Sequence, residues 1–579
     1  MAHVNLMVDT VIANLPEEGL RSVLRAMLAA DPSVTSLFEE RTRTYLQKPS
    51  TAHTRPLFNT NGSAPSLTNS FRSTQQRIRA MLGCGMCYES LPLLTAIVSQ
   101  ASHLRLQSAS PEELIHALST VDGDIIQALT AVQKSLLTPT GTRPLSHYEK
   151  PVVQALLDSI VHFYESCNAA ALDFLFERSL ASLTPASLGL DIPDQSALLG
   201  CGRLSMSTIP PLPSSIETFK IGGETLPRLF SGLWQLSSPS WGTASTLKIR
   251  QQFSAYAARG FTAYDMADHY GDAEVIFGNF RASCSNPEAL FGATKYCIFT
   301  PTTITREAVQ ANIAERCQRM SSSHIDLLQF HWQFYDDSQY LQALQYLQED
   351  QRVRHIGLCN FDTHHMEEVV RAGIKVHTNQ VQFSLIDSRP VFKMGAACKK
   401  HDIKLLTYGT LCGGFIAEKW LGQPEPELFL QGITPSQRKY YEMILNWGGW
   451  ALFQDLLKTL KEIACKHNVS ISNVATRWVL DFDYVGAVIV GTRMGVSEHA
   501  DENLAAFGWR LDASDQTAIQ IVLDRSKRDQ LIELLGDCGV IDLERYGIQE
   551  SEVVPMAEVI SGKASISTIL VDNAKVFQI

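Results

Sequence analysis

The sequence predicts an α/β protein, a (β/α)8 TIM barrel preceded by an all-α N-terminal domain. Three observations carry that expectation. After about residue 219, short apolar strand patterns alternate with amphipathic helical ones, whereas residues 1–183 show helical periodicity. Eight such strand–helix units are the repeat of a barrel. All eight tryptophans, from Trp234 onward, lie in the second part, which puts its coherent core there.

In the front part, Leu20, Val23, Leu24, Met27 and Leu28 recur at i, i+3, i+4 spacing and predict a helix packed on a core. Ser110-Pro111-Glu112-Glu113 supplies an N-cap, a proline at N1 and a glutamate at N3, opening a helix through Leu118. Asp124 with Gln127 predicts a second helix start, carrying Ile125, Ile126, Leu129, Val132 and Leu136 inward. A long helical stretch is expected from Tyr148 to Leu180. Residues 48–74, rich in Ser, Thr, Asn and Pro, read as a flexible segment. The expected division is an all-α domain at 1–183, a Pro-containing linker at 184–218 with TIPPLP (208–213), a barrel at 219–548 and a tail at 549–579.

Strands are expected at 229–235, 262–267, 290–296, 325–332, 353–360, 376–383, 403–410 and 485–491. Helices fall between them, for example at 245–258, 305–320, 340–350, 363–371 and 471–480. The segment from Phe415 to Leu460, with Trp420, Trp447 and Trp450, is a long insertion after the seventh strand. It reads equally well as a partial cover over a pocket or as the core of an extra helix.

Composition excludes several classes. At 45% hydrophobic and 19% charged over 579 residues, the chain is neither disordered nor fibrous. Forty-nine basic against 60 acidic residues give a formal charge of −11, so nothing electrostatic favours nucleic acid or an anionic membrane. No run reaches the roughly 18 to 20 apolar residues of a membrane span. The first twenty residues lack a basic n-region, and twelve cysteines spread mostly singly read as reduced thiols; a cytoplasmic protein is expected. The CxxC at Cys84–Cys87 has no second ligand pair, and His364 and His365 open an amphipathic helix, so no metal site is expected.

Barrel chemistry gathers at the C-terminal strand ends. The second strand ends in DMADHYG with Asp265 and Tyr270, the third near Lys295, the fourth in FHW with His331. An ammonium beside a phenol favours the phenolate, and a carboxylate holds the ammonium in place. Such a tyrosine can protonate an oxygen that is becoming an alkoxide, while an imidazole polarises the same carbonyl. None of these side chains is a reductant, so a hydride-bearing cofactor is required.

The motifs DMADHYG (265–271), ATKY (293–296), DLLQFHW (326–332), IGLCNF (356–361), TNQVQFS (378–384), LLTYGTLCGG (405–414) and GTRMGVSEHADENL (491–504) occur in order. Over residues 219–511 the chain resembles the aldo-keto reductases, and within them a filamentous-fungal group with an added helical region in front. The resemblance implies Tyr270 as proton donor, Lys295 and Asp265 as the pair that lowers its pKa, and His331 as the group orienting the carbonyl. It implies NADPH, with NADH as the alternative, as cofactor. Asp265, Cys359, Asn360 and Gln380 would lie along the nicotinamide, and Tyr408 would stack on it. Gly409, Leu411 and Gly413 would approach the pyrophosphate, Arg493 the 2′-phosphate, and Glu502 and Asn503 the adenine. Cys359 stands where the family usually has Ser, His499 where many members have Arg, and GTLCGG where SPL is common.

Trp234, Trp241 and Trp332 at the ends of strands 1 and 4 predict an aromatic-lined mouth for an apolar or aromatic carbonyl compound. The helical front offers no catalytic constellation and reads as a structural or interaction module, for a protein partner or self-association. The rival reading is a nucleotide-binding sensor or scaffold similar to the potassium-channel β-subunits, which share this barrel. The intact set of four side chains favours the enzyme.

Overall fold

The computed structural model describes residues 11–537, except 13, 49–54, 61–63, 105, 107–109, 139, 173, 184–187, 192–206, 238–240, 243, 300, 430–432 and 532–535. The expected tail at 549–579 and much of the expected linker lie outside the described residues.

The second part closes into a barrel of eight parallel strands in sequential order. They are β1 (Leu229–Gly232), β2 (Ala263–Asp265), β3 (Phe291–Ile298), β4 (Ile325–Trp332), β5 (Val353–Cys359), β6 (Thr378–Gln382), β7 (Lys404–Tyr408) and β8 (Val485–Gly491). Strands buried on both faces explain the continuous apolar runs: every residue of β3 and of β4 is buried. A hairpin of Thr218–Ile221 and Glu224–Pro227, not read from the sequence, closes the floor. There Ile221 and Leu226 pack with Phe230, Ala263, Phe291, Ala293, Leu327, Leu406 and Ala487. Above this apolar floor the inward positions turn polar, two residues per layer: Asp265 follows Ala263, Lys295 follows Ala293, and Gln329 and His331 follow Leu327.

The helical front comprises, among the described residues, α1 (Glu17–Ala30), α2 (Thr35–Leu46), α3 (Asn69–Gly83), α4 (Cys87–Ala101), α5 (Glu112–Ser135), α6 (Glu149–Ala170) and α7 (Glu177–Leu183). Its own core includes Phe71, Leu94, Leu118, Ile125, Leu157, Phe163 and Phe176. Four sequence expectations are corrected here. The face of Val23, Leu24 and Met27 is exposed, and α1 buries no residue. The two helices expected around residues 118 and 124 are one, α5, because Asp124 is engaged by Arg79 at 2.9 Å and Gln75 at 2.9 Å from α3 and is not free to cap. The stretch from Tyr148 to Leu180 breaks at Ala171, whose φ of 51° ends α6. Within the segment expected to be flexible, Phe58–Asn59 pairs with Ser66–Leu67 and α3 begins at Asn69.

Around the barrel lie α8 (Thr246–Ala258), α9 (Ala273–Ala282), α10 (Arg306–Arg319), α11 (Gln339–Glu349), α12 (Thr363–Arg371), α13 (Met394–His401), α14 (Pro435–Trp447), α15 (Gly449–His467), α16 (Ile471–Leu480), α17 (Ala500–Leu504) and α18 (Ala513–Leu523). The insertion after β7 forms α14 and α15 with their own apolar cluster. Trp447 and Trp450 are buried in it, and Trp420 packs on Phe415 at 4.8 Å, so these indoles are core groups. Among the described residues no helix is long and apolar enough to cross a membrane.

Candidate active site

β2, β3, β4 and β6 deliver Asp265, Lys295, Gln329 and Gln380 to one buried layer. Lys295 Nζ donates to Asp265 Oδ2 at 2.7 Å and to the Met266 carbonyl at 2.9 Å. The other oxygen of Asp265 accepts from Gln329 Nε2 at 2.9 Å and from Gln380 Nε2 at 2.7 Å. Gln380 Nε2 also reaches Gln329 Oε1 at 2.9 Å. A carboxylate held by three donors in a dry interior is both satisfied and fixed. Burial works against the Lys295 charge, but Asp265 and its neighbours hold the pKa above the ordinary lysine value. Gln329 was not singled out from the sequence; its signal was its place two residues before His331, on the same face of β4.

Tyr270 follows β2 on the loop to α9, its ring centroid 4.9 Å from Lys295 Nζ. Burial raises the phenol above its ordinary value and outweighs the pull of Lys295 in the opposite direction. The expectation that the pair lowers this pKa is therefore corrected: desolvation comes first, Lys295 alone pulls the phenol down, and Asp265 adds to the rise. His331 on β4 has its pKa lowered to about 3, chiefly by burial and then by His269 and Lys295, so its imidazole is neutral. Phe299 stands edge-on to it at 5.3 Å.

Asn360, at the end of β5, adopts φ of 57°, a left-handed conformation that asparagine tolerates better than most residues. It touches His331 Nε2 through Nδ2 at 3.5 Å, and its Oδ1 accepts from the Tyr408 hydroxyl at 3.1 Å. His331, Asn360 and Tyr408 are thus brought together. Tyr335, unforeseen, donates to the Asn360 carbonyl at 3.1 Å. Cys359 is buried on the strand end beside them, in register with Gln380. Tyr408 is half-buried, with Lys439 of the insertion 5.8 Å from its ring. The loop beyond it turns through Gly409 (φ 74°) and Gly413 (φ 63°) with Leu411 half-buried between; a side chain on Gly409 would collide with the Tyr440 hydroxyl.

The predicted pocket residues divide. Trp234 and Trp241 pack against each other, ring centroids 5.2 Å apart. Trp332 does not join them and is corrected to a core residue. It is one position past the inward-facing His331, so its indole turns to the outer layer, buried on Phe330 with Nε1 donating to the Phe334 carbonyl at 2.8 Å. A small depression at the rim is lined by Trp241, Gln235, Arg493 and Met494 and, from the helical front, Gly123 and Arg178. Gln235 Oε1 is buried there without a hydrogen-bond partner, and Arg493 is exposed with no acidic partner among the described residues. Glu502 and Asn503 lie on α17, Glu502 exposed and 3.1 Å from His499 Nδ1. An uncompensated guanidinium, an orphaned acceptor, a half-exposed tyrosine ring and left-handed loop glycines suit a flat, phosphate-bearing dinucleotide.

A family model described as the aldo/keto reductase family matches residues 228–524. The aldo-keto reductase YhdN of Bacillus subtilis is 23% identical over 312 residues, 52% of this chain and 91% of that protein. Flagellar radial spoke protein 5 of Chlamydomonas reinhardtii is 33% identical over 136 residues, 23% of this chain and only 25% of that protein's length. Among solved structures, a glycerol dehydrogenase from Gluconobacter oxydans is 21% identical with a TM-score of 0.46, covering 55% of this chain and 97% of that one.

Proposed function

The chain belongs to the aldo/keto reductase family, and from that premise we propose that it reduces an aldehyde or ketone to the alcohol with NADPH, Tyr270 giving the proton. Membership makes it an NAD(P)H-dependent oxidoreductase acting on a small carbonyl compound. The observation that carries the finer reading is the buried Lys295, 2.7 Å from Asp265 and 4.9 Å from the Tyr270 ring.

The nicotinamide dinucleotide, when bound, supplies the hydride that no side chain here can give. Asn360, Gln380 and Tyr408 are the residues for its ring, with Cys359 beside them. Gly409, Leu411 and Gly413 serve the pyrophosphate, Arg493 the 2′-phosphate, and Glu502 and Asn503 the adenine. The exposed, acid-free Arg493 favours NADPH over NADH. Tyr270 is protonated in the resting site, as a general acid must be. Lys295, charged and fixed by Asp265, stabilises the phenolate that remains once the proton has left. Neutral His331 offers an N–H to the same carbonyl oxygen without adding a charge of its own. Trp234 and Trp241 give the mouth an aromatic wall, which suits an apolar or aromatic carbonyl compound.

The test is oxidation of NADPH by 4-nitrobenzaldehyde, followed optically. Tyr270→Phe is expected to lower kcat by about 10²- to 10⁴-fold, the usual worth of a positioned general acid, with NADPH affinity retained. A Tyr270→Phe protein as fast as wild type would remove this residue from the reaction.

A further inference from the structure

We propose that the helical front of the chain positions Tyr270, through two buried ion pairs that bracket it in sequence. The inference rests on Tyr270 as the acid. Both acidic residues two positions away from it are held from outside the barrel. Lys134 Nζ, at the end of α5, lies 2.6 Å from Asp268 Oδ2. Arg178, at the start of α7, grips Asp272 with both arms, Nε on Oδ2 at 2.8 Å and Nη2 on Oδ1 at 2.6 Å. Between them Arg319 of α10 donates to the Gly271 carbonyl, and the same guanidinium donates to Gln133 Oε1 of α5 at 3.0 Å.

The barrel by itself secures the near side of this loop through backbone bonds, and on the far side supplies Arg319 on the Gly271 carbonyl and on Glu274 of α9. Met266 N donates to the Ala293 carbonyl at 2.8 Å, and Asp268 N to the Lys295 carbonyl at 3.3 Å, both ahead of Tyr270. Asp268 also accepts from Cys297 N at 3.2 Å. Beyond Tyr270, Asp272 takes its two charged hydrogen bonds from Arg178. The charged clamp on Asp272 therefore comes from the helical front.

Exposed ion pairs hold little, but these carboxylates are nearly inaccessible, at 3% and 1% relative exposure. A bidentate guanidinium fixes orientation as well as distance. The two helices are also tied to each other, Ser179 N of α7 donating to Asp122 Oδ1 of α5 at 3.0 Å, so the two clamps act from one rigid body. A proton donor on a loop needs such support, because a displacement near 1 Å can cost about 10²-fold in rate.

The full-length protein is tested with Lys134→Met and with the double variant Arg178→Met/Asp272→Asn, which removes both members of the Asp272 pair together. Each is expected to lower kcat with 4-nitrobenzaldehyde about 10- to 100-fold per NADPH-binding site. KM and NADPH affinity should stay within about twofold, since ground-state binding is not what the clamps serve. Amide exchange across residues 266–273 of the unliganded protein should accelerate while the barrel strands stay protected, and Lys134→Arg should restore kcat. Wild-type kcat in both folded variants, or unchanged exchange at 266–273, would overturn the proposal. So would a loss of activity that merely follows the fraction of NADPH-binding protein, which is what a simple weld between the two parts gives. If the wild-type protein reduces no carbonyl compound, the reductase reading fails instead, and exchange at 266–273 alone decides whether the helices hold this loop.

Discussion

His331 is where burial speaks most directly at the scale of a single residue. Its pKa falls from 6.5 to about 3 in the folded protein. Between those values the unfolded chain binds a proton at this position that the folded chain refuses. The stability it carries is therefore complete above pH 6.5 and is lost as the pH falls toward 3. The urea midpoint is expected to drop between about pH 7.5 and pH 5, and to drop less in His331→Gln; equal drops in the two proteins would refute the assignment. Residue types and order singled out Asp265, Tyr270, Lys295 and His331, and the structure sets Lys295 against Asp265 and the Tyr270 ring. Parity along β4 decided the rest. It sends Gln329 inward to Asp265 and Trp332 outward to Phe330, and an unsigned aromatic at a strand end does not reveal its side.

Elements read from their apolar pattern came out close to their bounds, as in β4 at Ile325–Trp332 and α12 at Thr363–Arg371. Elements defined by a cap were less secure. Asp124 has the chemistry of an N-cap, but Arg79 and Gln75 of another helix claim it, a contact no local pattern announces. α9 follows the Tyr270 loop, between β2 and β3, where the strand–helix repeat expects a helix. Its packing makes a sharp expectation: a side chain on Gly278 would run into the backbone of Met320 just after α10. Gly278→Ala should therefore destabilise the protein by about 1–3 kcal/mol despite alanine's better helix propensity, read by urea unfolding. A neutral or stabilising outcome would mean that the two helices can part without cost.

The two parts of the chain meet through buried polar and charged contacts: Lys134 on Asp268, Arg178 on Asp272 and Gln133 on Arg319. Such contacts cannot be lost one side at a time without stranding a buried ion, so the whole chain should unfold as one unit. All eight tryptophans lie in the barrel part, whereas far-ultraviolet circular dichroism reports helices in both. The thermal transitions seen by indole fluorescence and by circular dichroism are expected to coincide. An earlier circular-dichroism transition would show that the helical front melts on its own.

The sequence by itself determined the barrel and the order of its strands, and singled out the four polar side chains on or just after them, since each depends on local period and on position within one repeating unit. The tertiary structure alone decided what the helical front touches and which helix faces it leaves bare. It also decided that burial, ahead of Lys295, governs the Tyr270 phenol. Those outcomes depend on which surfaces exclude water from which groups, and desolvation is a property of the assembled chain that no spacing of residues encodes.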